Sequence, residues 1–241
     1  MIYKKNRRYK PIYKKFLALK ETVLYSEKIL KFKRRKWKDL ISQLERLRKK
    51  NPPKYKLYDH TLYFLPKYSN YFKNNFRYNL KLKQRLSLIY GKLLKRYLKK
   101  KIFSILTAEN QSKLLRDKSL KVLEFFENRL DTLLYRSHFV SNIKIARQLI
   151  LHKHITINDI IITKPLTKLN IGDTIEISPT FHNRIAHNIR TFNFHFIPPK
   201  YLQINYKTFQ ILVVSRIDRI NNATIYPFWL DFPTFIQSLK N

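Results

Sequence analysis

The chain has 241 residues and a formal net charge of +36, because 51 lysines and arginines outnumber 15 aspartates and glutamates. Such an excess repels itself unless a polyanion neutralises it, so the composition indicates a nucleic acid or an anionic membrane as the partner. The absence of cysteine and the presence of only two glycines exclude disulfides and thiolate metal sites, and argue against glycine-rich nucleotide or cofactor loops.

The N-terminal part carries most of the charge. Residues 1–100 hold 32 lysines and arginines and 5 acidic residues, a net charge of +27. Apolar residues at helical spacing predict a helix over 12–50, which ends at Asn51-Pro52-Pro53. Residues 51–79 are rich in aromatic residues and lysine and are expected to be irregular. We therefore expect residues 1–79 to be a basic, aromatic-rich region that contacts phosphates.

A second basic segment follows over 80–128. A helix is predicted over 80–101, with an apolar stripe and a basic remainder, and another over 111–127. A basic amphipathic helix suits RNA or a membrane surface. However, no apolar run approaches the roughly 20 residues of a membrane span.

Residues 129–178 are predicted to form two short helices followed by short strands. A short helix with Leu130, Leu133, Leu134 and Ser137 on one face precedes a second helix, for which Ser141 is the expected N-cap. In that second helix Ile143, Ala146, Leu149 and Ile150 are expected to face inward, and Lys144, Arg147, Gln148 and His152 outward. Asn158-Asp159 predicts a hairpin turn, and Gly172-Asp173 another turn before a strand. The predicted fold class is α+β, with two helices on a small sheet.

This segment resembles the RNA-binding module named after small-subunit ribosomal protein S4. The resemblance rests on Arg129-Leu130-Asp131, Tyr135-Arg136, Ala146-Arg147-Gln148-Leu149, the run from His152 to Asn158, Pro165 and Gly172-Asp173. The flanks Leu80–Gly91 and Pro199–Gln210 also resemble ribosomal S4 proteins. The chain departs from the family pattern at His138, Lys153 and Asp159, where the family often has glycine, so the turn at Asn158-Asp159 is expected to be longer or strained.

The resemblance implies a module over 129–180, preceded by the helical region 80–128, with residues 181–241 forming a strand and a segment that pack back on that helical region. It implies a non-enzymatic constituent of the small ribosomal subunit, with no cofactor and no metal. The implied partners are the 5′ domain junction of small-subunit ribosomal RNA, neighbouring ribosomal proteins, and mRNA near the path by which it enters. The residues expected to bind RNA are Lys81, Lys83, Arg85, Arg129, Arg136, Ser141, Lys144, Arg147, Gln148, His152, His154 and Asn158.

The bias towards Ile, Lys, Asn, Phe and Tyr is typical of AT-rich organellar genes, which favours a mitochondrial location. Because Arg147 is expected on an exposed ridge, Arg147→Glu is expected to weaken RNA binding without unfolding the module.

Two alternatives remain open. One is an enzyme such as a pseudouridine synthase, in which Asp131 of Asn128-Arg129-Leu130-Asp131 would be catalytic. An acid on the first turn of a helix has a stabilising role there instead, and no large catalytic domain is seen after it. The other alternative is a stand-alone RNA chaperone or a ribosome-rescue factor, which purification with intact small subunits would distinguish from a ribosomal protein.

Overall fold

A computed structural model of the protein describes residues 12–19, 23, 27–50, 71–91, 93, 95–107, 115–191, 198–217 and 236. The chain divides into two compact units, Met1–Lys54 and Tyr55–Asn241. Among the helices of the described residues, none has the length and apolar content needed to cross a membrane.

The first unit contains helices α1 (Ile12–Leu19) and α2 (Lys38–Lys50), with 3-10 turns at Glu27–Lys31 and Arg35–Trp37 between them. The predicted continuous helix over 12–50 is therefore wrong. Arg34 has an extended backbone, with φ −65° and ψ 138°, which interrupts helical hydrogen bonding before Trp37. The described core of this unit consists of Phe16, Leu19, Val23, Ile29, Trp37 and Leu40. Helix α2 ends at Lys50, in agreement with the proline signal that follows.

The second unit begins, among its described residues, with helices α3 (Tyr71–Ile89), α4 (Lys95–Thr107) and α5 (Leu115–Glu127). The helix predicted over 80–101 is thus two helices. Gly91, with φ +71°, ends α3, and Ser87 closes the turn by donating its hydroxyl to the carbonyl of Leu93 at 2.6 Å. Residues 71–79, which were expected to be irregular, are helical, so the expected division between residues 79 and 80 falls inside α3.

The module consists of helices α6 (Leu130–Arg136) and α7 (Ile143–Leu151) and strands β1 (Ile155–Ile157), β2 (Ile160–Ile161) and β3 (Thr174–Ile177). Helix α8 (His182–Thr191), which was not predicted from the sequence, is followed along the chain by β4 (Leu202–Asn205) and β5 (Gln210–Val213). All neighbouring strands are antiparallel, in the order β2-β1-β3-β5-β4. Eight helices and one small sheet confirm, for the described residues, the predicted α+β class.

The apolar pattern of α7 places its core face as predicted, with Ile143, Ala146, Leu149 and Ile150 buried. The N-cap is Asn142 rather than Ser141, because the Asn142 side chain accepts the backbone N–H of Lys144 at 3.2 Å.

The hairpin turn has two residues, with φ +46° at Asn158 and φ +66° at Asp159, and Ile157 pairs with Ile160 across it. Two consecutive residues with positive φ are typical of the type I′ turn. The turn is therefore not lengthened by the missing glycine.

The C-terminal strand was expected to pack on the helical region. Instead, β5 pairs with β3 and extends the sheet of the module, with Ile175 opposite Ile211. A link to the helical region does exist at Tyr201, whose hydroxyl donates to Glu127 at the end of α5 at 3.2 Å. The C-terminal segment lies outside the described residues, apart from the buried Ile236.

Candidate nucleic-acid interface

The centre of the module is a buried ion network around Asp131. Arg129 donates two hydrogen bonds to this carboxylate, at 3.1 and 2.6 Å, and Arg147 donates a third at 2.7 Å. Asp131 is completely buried, whereas Arg147 remains 23% exposed. Two guanidinium groups on one carboxylate hold the first turn of α6 against α7. Asp131 is thus a structural acceptor and is closed to substrate.

Arg147 also fastens the module to the preceding helices. Its remaining guanidinium nitrogens donate to the carbonyls of Tyr90 and Gly91, at 2.7 and 3.1 Å. A Cβ added to Gly91 would lie 3.0 Å from the Arg147 Nη1 atom, so the glycine gives both a positive φ and room for the arginine.

A second buried network surrounds Glu127. Arg136 makes a bidentate pair with this carboxylate, with both N–O distances at 2.8 Å. The hydroxyls of Tyr90 and Tyr201 donate to the same two oxygens. One carboxylate therefore links α5, α6, the turn after α3 and the segment before β4.

These networks revise the expected RNA contacts. The side chains of Arg129 and Arg136 are only 1% and 3% exposed, so they cannot reach a phosphate on the surface. Their expected role in RNA binding is corrected to a structural one. Arg147 is also a structural tie, and Arg147→Glu would place a second carboxylate beside Asp131. The earlier expectation that this variant remains folded is therefore corrected as well.

The outer face of α7 retains the predicted polar ridge. Lys144, Gln148 and His152 are exposed and lie four residues apart, so they share one side of the helix. Leu151 is exposed beside them. We call Lys144, Gln148, Leu151 and His152 the α7 ridge, and it offers one cation, hydrogen-bonding groups and an apolar contact surface.

The other module residues that were expected to bind RNA differ in their exposure and in their contacts. Ser141 and His154 are half-buried, and the His154 ring lies 4.2 Å from the ring of Phe181. Asn158 is exposed, but its amide oxygen accepts the backbone N–H of Thr174 at 2.9 Å and its amide nitrogen donates to Asp173. Its main observed role is to hold the hairpin turn to β3.

On α3 the three predicted cations differ in exposure. Lys81 is exposed, while Lys83 and Arg85 are half-buried and already engaged with other groups. Lys81 is thus the one of the three that is most open to a phosphate.

A further exposed basic surface lies on α4, whose cations were not among the residues expected to bind RNA. Arg96, Lys99, Lys100 and Lys101 are all exposed, and no acidic residue occurs between Lys95 and Thr107. The run KRYLKKK was a sufficient signal for these residues. By contrast, no local charge pattern marks Arg136 or Arg147 as buried or half-buried, and the Arg-x-Asp spacing at 129–131 is the one such sign for Arg129.

Burial also keeps His138 uncharged. Desolvation, together with the nearby positive charge of Arg136, lowers the pKa of His138 from 6.5 to about 3. The residue has φ +61°, at a position where the family often has glycine. Within the part of the chain that the structure describes, no group of His, Asp or Glu is placed to hold a metal ion.

The module matches the S4 domain family over residues 128–175. The chain is similar to "Small ribosomal subunit protein uS4m" of Marchantia polymorpha, with 30% identity over 66% of this chain and 76% of that protein. It is also similar to uS4m of Reclinomonas americana, with 28% identity over 73% of this chain and 72% of that protein. A third relative, "Small ribosomal subunit protein uS4c-1" of Cyanidium caldarium, is 33% identical over 61% of this chain and 70% of that protein.

These relatives match over 152 to 191 residues, so the similarity extends well beyond residues 128–175 of the matched domain. The predicted family is confirmed: the chain belongs to the uS4 family of small ribosomal subunit proteins.

Proposed function

We propose that the protein is a structural, non-enzymatic constituent of the mitochondrial small ribosomal subunit, where it binds small-subunit ribosomal RNA. The observation that carries this proposal is the separation of charge within the module. The acids at its centre are buried and neutralise arginines, whereas the lysines and arginines on its surface face solvent. A polyanion is the partner that such a surface requires.

The α7 ridge is the proposed contact of the module with RNA. Lys144 supplies a charge to a phosphate, and Gln148 and His152 supply hydrogen bonds to phosphate or ribose oxygens. A folded RNA helix hides its base edges in a deep groove, so recognition by this ridge is mainly of shape. The buried face of α7 supports recognition of shape, because it holds the helix in place and so fixes the spacing of the exposed side chains.

We also propose three specific contacts, which the resemblance to ribosomal S4 proteins implies. They are the 5′ domain junction of the small-subunit ribosomal RNA, neighbouring small-subunit proteins, and mRNA near the path by which it enters the ribosome. Residues 1–79 are proposed to bind phosphates with little base readout. The exposed Lys33, Arg34, Arg35, Lys36 and Lys38 of the first unit support that role.

The enzyme alternative has a specific obstacle in this fold. Asp131 would have to contact a nucleotide, but it is buried and already accepts hydrogen bonds from Arg129 and Arg147. A catalytic carboxylate needs access to its substrate. The geometry therefore supports the structural role over pseudouridine synthesis.

The test uses Lys144→Glu in the full chain, with Lys144→Arg as the control that keeps the charge. Filter binding to a 5′ domain fragment of small-subunit ribosomal RNA is measured across a salt series. Lys144→Glu should weaken binding on the order of tenfold and reduce the slope of log affinity against log salt by about one, while circular dichroism stays unchanged. Equal affinities of the two variants would refute the role of the α7 ridge.

A further inference from the structure

The exposed face of α4 combines cations with a large aromatic ring. Phe103 is 59% exposed, although phenylalanine is among the residue types most often fully buried. It lies three residues after Lys100, four after Lys99 and seven after Arg96, all of which are exposed. At 100° per residue, Arg96, Lys100, Phe103 and Thr107 fall within a sector of about 60°.

The opposite side of α4 explains why this ring does not turn inward. Leu98 and Ile102 are 2% and 1% exposed and form the core face of the helix. At 100° per residue, Phe103 lies about 100° around the helix from Ile102 and about 140° from Leu98, so its side chain starts away from that face. The ring is therefore presented to solvent by the helical register itself.

We propose that Phe103 stacks on an unpaired RNA base, while Arg96, Lys99 and Lys100 bind the phosphates on either side of it. This proposal rests on the RNA-binding role given above and adds a second contact, with a single-stranded element of the RNA. Aromatic rings among cations are the usual platform for unpaired bases, because the ring covers the base and the cations follow the backbone.

The charges around Phe103 favour this partner over a protein surface. Protein interfaces are depleted of lysine at their centre. Here the apolar group is surrounded by lysine and arginine, and the helix carries no acid that would neutralise them. A base with its phosphates satisfies both the ring and the cations at once.

The experiment compares three full-length variants, Phe103→Ala, Phe103→Leu and Phe103→Trp. Two RNA probes are used, a stem-loop with an adenine-rich internal loop and a fully paired duplex of equal length. Phe103→Ala and Phe103→Leu should each weaken binding to the looped RNA by about 5- to 150-fold, and Phe103→Trp should bind normally. Binding to the duplex, and the salt slope on either RNA, should not change because no charge is removed.

Several results would overturn the proposal. Normal binding by Phe103→Leu would indicate an apolar contact rather than stacking, and an equal loss on the duplex would remove the role of the unpaired base. Lys144→Glu is measured in parallel. If it weakens binding while the Phe103 variants do not, the stacking proposal fails and the RNA-binding function stands. If none of these variants weakens binding, both fail.

Discussion

Replacing Arg147 by methionine tests whether this residue is a structural tie or an RNA contact. The change keeps the apolar part of the side chain and removes three donated hydrogen bonds, to Asp131 and to the carbonyls of Tyr90 and Gly91. A hydrogen bond to a charged group contributes about 1.5–3 kcal/mol. The total is expected to be smaller than the sum of three such bonds, because water partly solvates Arg147, which is 23% exposed, and because Asp131 remains paired with Arg129. We therefore expect a loss of about 3 kcal/mol in the free energy of unfolding.

The matched control is Lys144→Met, one turn earlier on the exposed side of the same helix. A surface substitution of this kind changes stability by about 0.5 kcal/mol or less. Thermal unfolding followed by circular dichroism should show Arg147→Met about 6–12 °C below the control. The affinity for ribosomal RNA at a temperature where both are folded should fall more in Lys144→Met. If Arg147→Met melts like the control and loses more RNA affinity, then Arg147 is an RNA contact and the structural interpretation is wrong.

Two further predictions concern backbone and titration. Asp159→Gly should raise stability by about 0.5–1 kcal/mol in denaturant unfolding, because glycine adopts the positive φ of this turn without strain, whereas Asp159→Ala should give no gain. The folded pKa of about 3 at His138 lies below the unfolded value of 6.5, so the unfolded chain takes up a proton first as the pH falls. The free energy of unfolding should therefore be unaffected by His138 well above pH 6.5 and about 2 kcal/mol smaller at pH 5. The variant His138→Asn should not show this loss. If both proteins show the same dependence of stability on pH, the lowered pKa of His138 is wrong.

The sequence was most informative where a local pattern determines the structure. The apolar spacing of α7 correctly placed its core face, and the Asn158-Asp159 pair correctly marked the hairpin. The family prediction and the α+β class are also confirmed. The helix of 80–101 was wrong because its apolar stripe continues past Gly91 without a change in period, although the glycine with positive φ breaks it. The domain boundaries and RNA contacts remain proposals.

The candidate site was harder to predict because exposure depends on tertiary partners. Arg129, Arg136 and Arg147 carry the same charge as Lys144, and in a chain this basic each looks like a phosphate contact. What separates them is the distance to Glu127 or Asp131, which depends on how α5, α6 and α7 pack. A short Arg-x-Asp spacing at 129–131 was the one local sign of an internal pair.

The acidic residues explain how so basic a module reaches a unique fold before RNA neutralises its surface. Glu127 and Asp131 are buried with arginines, Asp173 accepts from Asn158 and from the backbone N–H of Asn170, and Glu176 accepts from Gln210. Each of these four carboxylates joins elements or fixes a turn. Because a buried charge left without its partner costs several kcal/mol, such pairs favour one arrangement of the helices over its competitors. Glu127 and Asp131 are thereby withdrawn from the surface, while the α7 ridge and the α4 face contain no acidic residue, so an external anion is needed to neutralise their cations.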